Sequence, residues 1–367
     1  MNNFIFLRAL KHAEHTVFCV EDGQKTYYDP QFNKRVPYSS GQQVKRSILQ
    51  QIADNMGVHT APITFNYNIS KSGELENKEP WSPCDPTYVD QLLGGWMKAK
   101  TGKGKTKDND TSDSKENNVV KRRSPLSISA MRPLHPLLAG VDNENITFDR
   151  SDRPDHHPVN VRMAGSDRLL TEDEIEAFLS DNGRTLSRRI WIPENKRATG
   201  LFVYDAAIDL RTLFCVSMNQ HEPEVSKEMI DKLKSNGWIE SENVFGKCLV
   251  LPETERKKII PALADALVDW RITSNQARTF SLMETLAIAV SDNANTIAAA
   301  IRAKLIEDGE KPKAKPIVDA NAGADLFVAL PCASYMITEC ESSSAIEDAK
   351  QNLVRRMSAF DYEHQAF

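Results

Sequence analysis

The feature that most constrains the fold is an interruption. Residues 58–186 carry Pro62, Pro80, Pro83, Pro86, Pro125, Pro133, Pro136, Pro154 and Pro158. Each proline removes an amide donor and fixes φ, so neither a long helix nor a central strand can run through this stretch. On either side of it, short strand-like runs alternate with amphipathic helical ones. A chain of 367 residues can form one large domain with insertions or two ordinary ones. The pattern selects an α+β body, split β-α-β or ferredoxin-like, elaborated by a large insertion.

Before the interruption, residues 3–10 read as a strand with Phe4, Phe6 and Arg8 on one face. Residues 35–56, RVPYSSGQQVKRSILQQIADNM, read as an extended run, a polar turn and a helix whose stripe is Val44, Ile48, Leu49, Ile52 and Met56, with Gly57 as its stop. Ser39 and Ser40 are N-cap candidates, and Gly41 lets the backbone approach whatever lies above the helix N-terminus. Lys45 and Arg46 oppose the helix dipole by about 0.3 to 1 kcal/mol each when exposed. A bound phosphate or carboxylate would account for them; the alternative is a solvated helix start.

After the interruption, residues 199–217 read as a long strand or bent hairpin. Residues 253–270 read as a helix with the stripe Ile259, Ile260, Leu263, Leu267 and Val268. A strand over 281–292, a helix over 293–305, a strand at ADLFVALP and a last amphipathic helix over 344–357 complete the order.

Charge is unevenly placed. The net charge is −5, yet residues 98–123 hold nine Lys or Arg against four Asp or Glu, a local +5 that leaves about −10 on the rest. This segment, which includes Lys98, Lys100, Lys103, Lys105 and Lys107, is rich in Gly, Ser, Thr, Asn and Asp. It reads as a loop, either a solvated insertion or an electrostatic arm for a phosphate backbone.

Apolar residues are 40% of the chain, with no run near the ~18 residues of a membrane span and no signal-peptide pattern in MNNFIFLRALKHAEH, so a cytoplasmic location is expected. The six cysteines show no CxxC pair, which argues against a zinc ribbon and a disulfide scaffold. Without a Walker loop, dinucleotide fingerprint or GxSxG elbow, no cofactor is expected. His12 with His15, and Asp152 with Asp155-His156-His157, are thin metal candidates; paired histidines in a proline-flanked loop fit solvent exposure better.

Four segments resemble the CRISPR-associated backbone subunits that coat the guide RNA in Cascade-type complexes, the Cas-seven family of the RAMP superfamily. RVPYSSGQQVKRSIL is similar to that family's strand-turn-helix signature. RATGLFVYDAAIDL resembles the strand after its RNA-clamping thumb, SNQARTFSLMETLAIAVSDN its later loop-and-strand element with a Gln-x-Arg-Thr turn, and AIEDAKQNLVRR its closing helix.

The resemblance implies a modified RNA-recognition-motif palm (1–57 and 186–367), fingers (58–185) and a thumb-like hairpin (about 186–199). It implies copies stacking along crRNA as a type I surveillance subunit that presents the guide to target DNA. Partners would be a five-prime-handle cap subunit, large and small subunits and a crRNA-processing endonuclease. Ser39, Ser40, Gln42, Gln43, Lys45 and Arg46 would face guide phosphates, joined by Arg278 in the Gln-x-Arg-Thr turn.

In the thumb segment, Arg188, Arg189, Lys196 and Arg197 bracket Ile190, Trp191 and Ile192, which suits a wedge against bases; the alternative buries Trp191 and Ile192 under the palm. A non-enzymatic role is expected. Related type III subunits cut target RNA with a loop Asp, for which Asp22 is the candidate here, but the turn has Lys-Arg where those members usually show Lys-Gly. A stand-alone single-strand RNA-binding scaffold is a further alternative.

Overall fold

A computed structural model describes residues 2–18, 23–98, 119–165, 167–273, 279–307 and 311–365. Strand β1 (Phe4–Thr16) leads through a ribbon of β2 (Thr26–Asp29) and β3 (Lys34–Pro37) into α1 (Gly41–Met56). Both ends of α1 are specified locally. Ser40 is the N-cap, its Oγ accepting from Gln43 N at 3.3 Å. Gly57, at φ 65°, takes the left-handed conformation that glycine adopts without a Cβ clash, and Gly57 and Val58 return their amides to Asp54 and Ala53.

A hairpin of β4 (Thr64–Ile69) and β5 (Leu75–Trp81), helix α2 (Val89–Gly94) and strand β6 (Trp96–Lys98) follow. Short strands β7 (Val120–Arg122), β8 (Leu126–Ile128) and β9 (Arg132–Pro133) precede β10 (Ala139–Asp149), α3 (Glu172–Asp181) and the long β11 (Arg189–Asp209). Then come β12 (Cys215–Ser217), α4 (Lys227–Ser235), β13 (Ile239–Asn243), β14 (Gly246–Val250), α5 (Glu253–Asp269), β15 (Thr285–Ser291) and α6 (Ala294–Ala300). The chain closes with β16 (Ile301–Ile306), β17 (Lys313–Val318), β18 (Asp325–Ala329), β19 (Glu341–Ser342) and α7 (Ala345–Ser358).

The chain divides into two units, Met1–Gly140 with Ala198–Phe367, and Val141–Arg197. In the first, the antiparallel sheet runs β11-β1-β15-β18. Because β11 and β15 flank β1 and α5 lies between them in the chain, this is the split β-α-β arrangement of an α+β palm. Alternation along β1 sorts its side chains between two cores. Ile5, Leu7 and Ala9 pack with Ile48 and Ile52 of α1, Leu263 and Leu267 of α5, and Leu353 and Met357 of α7. Leu10 joins Val203, Ala287, Ile297 and Val328 in a second cluster. Phe6 packs against that second cluster, Phe4 stacks on Phe6 at 5.8 Å, and Arg8 forks onto Asp205 at 2.6 and 3.1 Å.

Two expectations are corrected. The insertion expected at 58–185 does not stand apart as a whole: residues 58–140 fold with the first unit, because Leu92, Leu93, Trp96, Leu126 and Met131 enter its main core. The helix expected over 293–305 stops at Ala300, and Ile301 starts a strand whose register runs from Ile301↔Val318 to Ile306↔Lys313. Ile301 is fully buried in the second cluster, and a cross-strand partner with an apolar floor outweighs weak helix propensity there.

The second unit contains α3, whose capping box pairs Thr171 with Glu174, and Arg168 forks onto Glu174 at 2.9 and 3.0 Å. Among the described residues of the protein, no helix is long and apolar enough to cross a membrane.

Candidate nucleic-acid interface

The N-terminus of α1 borders a cleft of about 1600 Å³ in the first unit, lined by Gln42 and Lys45, by Val119 and residues 121–128, and by residues at the end of β11 and on the β13–β14 turn. Gly41 fits here because the α1 start lies against the chain at 128–130: a Cβ would stand 3.0 Å from Ile128 O and 3.2 Å from Ala130 N. The cleft holds the cations Lys45, Lys121, Arg122, Arg123 and Arg211 with the acids Asp209, Glu222 and Glu224. Arg122 is neutralised by Glu224 at 3.0 Å and Arg211 by Asp209 at 2.8 Å. Lys121 and Arg123 are exposed and have no ion pair among the described residues. Set against Glu222, the one cleft acid without an ion pair among the described residues, Lys121, Arg123 and Lys45 leave the cleft net positive beside a capped helix start, a surface that favours an anion.

The residues of the strand-turn-helix motif separate into different roles. Ser39 is 1% exposed, trades backbone hydrogen bonds with Met131, and its Oγ is buried with no partner among the described residues. It is not a phosphate ligand, because the β3–α1 turn is covered by the chain preceding β9. Ser40 spends its Oγ on the helix cap. Gln42 is exposed and lines the cleft; Gln43 is half-buried and, like the exposed Arg46, lies outside the cleft lining.

Lys45 lines the cleft but is tied down, donating to Gly94 O and Ser124 Oγ at 2.7 Å each. Burial pushes its pKa below the ordinary lysine value. Its charge reaches the cleft with one donor left over, so Lys45 serves as both tether and field.

Of the basic arm, Lys98 is exposed and sits 4.5 Å over the Trp81 ring; Lys100, Lys103, Lys105 and Lys107 lie outside the described residues, as do Asp22 and Arg278. Arg122, within the segment read as a loop, is instead buried. Its guanidinium donates to Leu92 O, Thr212 O and Cys215 O as well as Glu224. Lys121 and Arg211 were legible only as members of a charge run and of a strand end; nothing local marks them as neighbours.

In the second unit, Ile190 and Trp191 are 64% and 59% exposed. The alternative that buries Trp191 under the palm is therefore not what the structure shows, while the side chain of Ile192 lies outside the description. Arg188 and Lys196 are exposed. Arg189 forks onto Asp149 at 2.6 and 3.0 Å, and the Ser151 hydrogen bonds, with those from Arg189, hold the Asp149 carboxyl well below the usual carboxylate range. Arg197 is corrected: it is 5% exposed and paired with Glu144 at 2.8 Å, so it anchors the unit rather than facing a ligand. His12 of β1 is likewise committed, its Nδ1 within 2.9 Å of Glu284 and 2.8 Å of the Tyr335 hydroxyl. No cluster of three or more metal-ligating side chains occurs among the described residues.

No protein-family model and no curated protein matches the chain. Solved structures do. The chain is similar to one described as a CRISPR RNA-guided surveillance complex, with TM-score 0.37 and 9% identity over 96% of this chain and 83% of that one. A second, described as a CRISPR RNA-guided surveillance complex in a pre-nicking state, has TM-score 0.43 and 8% identity over 99% of this chain and 96% of that one. Similar solved structures are thus chains of CRISPR surveillance complexes. At such identities no individual residue's role carries across.

Proposed function

We propose that this chain is a backbone subunit of a type I CRISPR surveillance complex. It holds crRNA by its phosphates in the cleft beside α1, repeats along the guide and presents the guide to target DNA. The observation that carries the reading is the pair Lys121 and Arg123, cationic, exposed and without an ion pair among the described residues, in the same cleft as Gln42 and Lys45. Cations and amides of this kind engage any phosphate without reading a base. That is the requirement on a protein whose sequence specificity comes from a guide.

In the second unit, the exposed Ile190 and Trp191 serve as the wedge that displaces a base from the guide–target duplex, since an aromatic face stacks on any base. Copies of the chain and the remaining Cascade subunits are its partners.

Replacing Lys121 and Arg123 together with glutamine should weaken guide binding and reduce the slope of log affinity against log salt by about 1.4, at roughly 0.7 per lost single-strand phosphate contact. The measurement is a salt titration of binding to a labelled guide. An unchanged slope would remove the cleft from the interface.

A further inference from the structure

One wall of the cleft contains an arrangement that phosphate binding leaves unexplained. Arg211 lies between two phenyl rings, its guanidinium carbon 4.8 Å from the Phe4 centroid and 5.0 Å from that of Phe245. Its fork is fixed by Asp209 at 2.8 and 2.9 Å, and its carbonyl accepts from Gln365 and Asn243 at 3.0 and 3.3 Å. Asn243, itself buried, also accepts from Phe245 N at 2.8 Å. Phe245 is thus held in place, yet it is 59% exposed.

It shares the two-residue turn between β13 and β14 with the exposed Val244. Such a turn favours Gly, Asn or Asp, and Val-Phe there leaves two large apolar side chains about half in water. A fixed, exposed ring backed by a cation is a flat platform of the kind on which nucleobases stack.

Building on the reading of this cleft as a nucleic-acid site, we infer that Phe245, supported by Arg211 and Phe4, stacks a base of single-stranded RNA whose phosphate is held by Lys121 and Arg123. The platform supplies affinity without sequence preference, because every base offers a π face.

The full-length protein is tested with two probes, oligoadenylate and a matching strand of abasic ribose-phosphate. Phe245→Ala and Phe245→Leu should each weaken oligoadenylate binding about tenfold, the scale of one lost stack, while abasic-strand binding stays unchanged and Phe245→Trp binds like wild type. Lys121→Gln with Arg123→Gln should weaken both probes. If the Phe245 variants bind oligoadenylate like wild type while the cation variant loses both probes, the stacking platform falls and the phosphate cleft stands. If the cation variant also binds normally, the functional reading itself fails. Equal losses of both probes in the Phe245 variants, or a defect confined to assembly with other protein chains, would overturn the platform as well.

Discussion

Replacing Arg122 with alanine should cost the first unit about 3 to 5 kcal/mol, the scale of removing one partner from a buried ion pair. Its side chain is 1% exposed and its pair with Glu224 spans 3.0 Å. The same guanidinium satisfies the Leu92, Thr212 and Cys215 carbonyls and lies 5.7 Å from the Trp96 ring. One side chain therefore joins α2, β7 and the β11–β12 connection, and alanine would strand a carboxylate and three carbonyls together. Arg122→Lys should recover only part of the loss, since an ammonium cannot reproduce the planar fork. Urea unfolding of the full chain reads the effect; a midpoint equal to wild type would mean that Arg122 is not the clamp described.

Lys11 is the second large effect, and it appears as a dependence on pH. It is fully buried on β1, donating to Thr285 Oγ1 at 2.8 Å and Met283 O at 3.2 Å, with its amine 5.3 Å from the Trp270 centroid. Burial pushes its pKa down to about 7, against an opposing pull from Asp269, a further push from Arg271 and an opposing pull from Glu284. The unfolded chain, near 10.5, therefore binds more protons between about pH 7 and 10.5, and stability rises with pH across that window.

The full penalty, present below pH 7, is about 5 kcal/mol at 1.36 kcal/mol per pKa unit, and about 3 kcal/mol of it should be relieved by pH 9.5. Lys11→Met should abolish the rise and stabilise the protein at neutral pH. Denaturant midpoints at pH 6.5 and 9.5 give the comparison, and an equal rise in both proteins would assign the pH dependence to other groups.

Both residues show where sequence reasoning stops. Arg122 sits in a basic, low-complexity run and reads as a solvated cation; Lys11 lies just past the strand read over residues 3–10, and only the structure carries β1 on to Thr16 and puts Lys11 inside it. The carbonyls that hold Arg122 come from as far as 93 residues away, and those around Lys11 from more than 250. No local pattern encodes them. Ser39, Lys45 and Arg197 follow the same rule: the correct residue types were singled out, but their partners at Met131, Gly94 and Ser124, and Glu144 decided whether they face a ligand or hold the fold.

By itself the sequence determined what depends on near neighbours: the Ser40 cap and Gly57 stop of α1, the stripes of α1 and α5, and the alternation of β1. Those follow from backbone hydrogen bonding and side-chain period, which act over a few residues. Only the tertiary structure decided which cations stay in water and which are desolvated. It also placed Phe4, Lys121, Arg123, Arg211 and Phe245 around one cleft, since charge is governed by whatever the fold packs beside it and not by its neighbours in the chain.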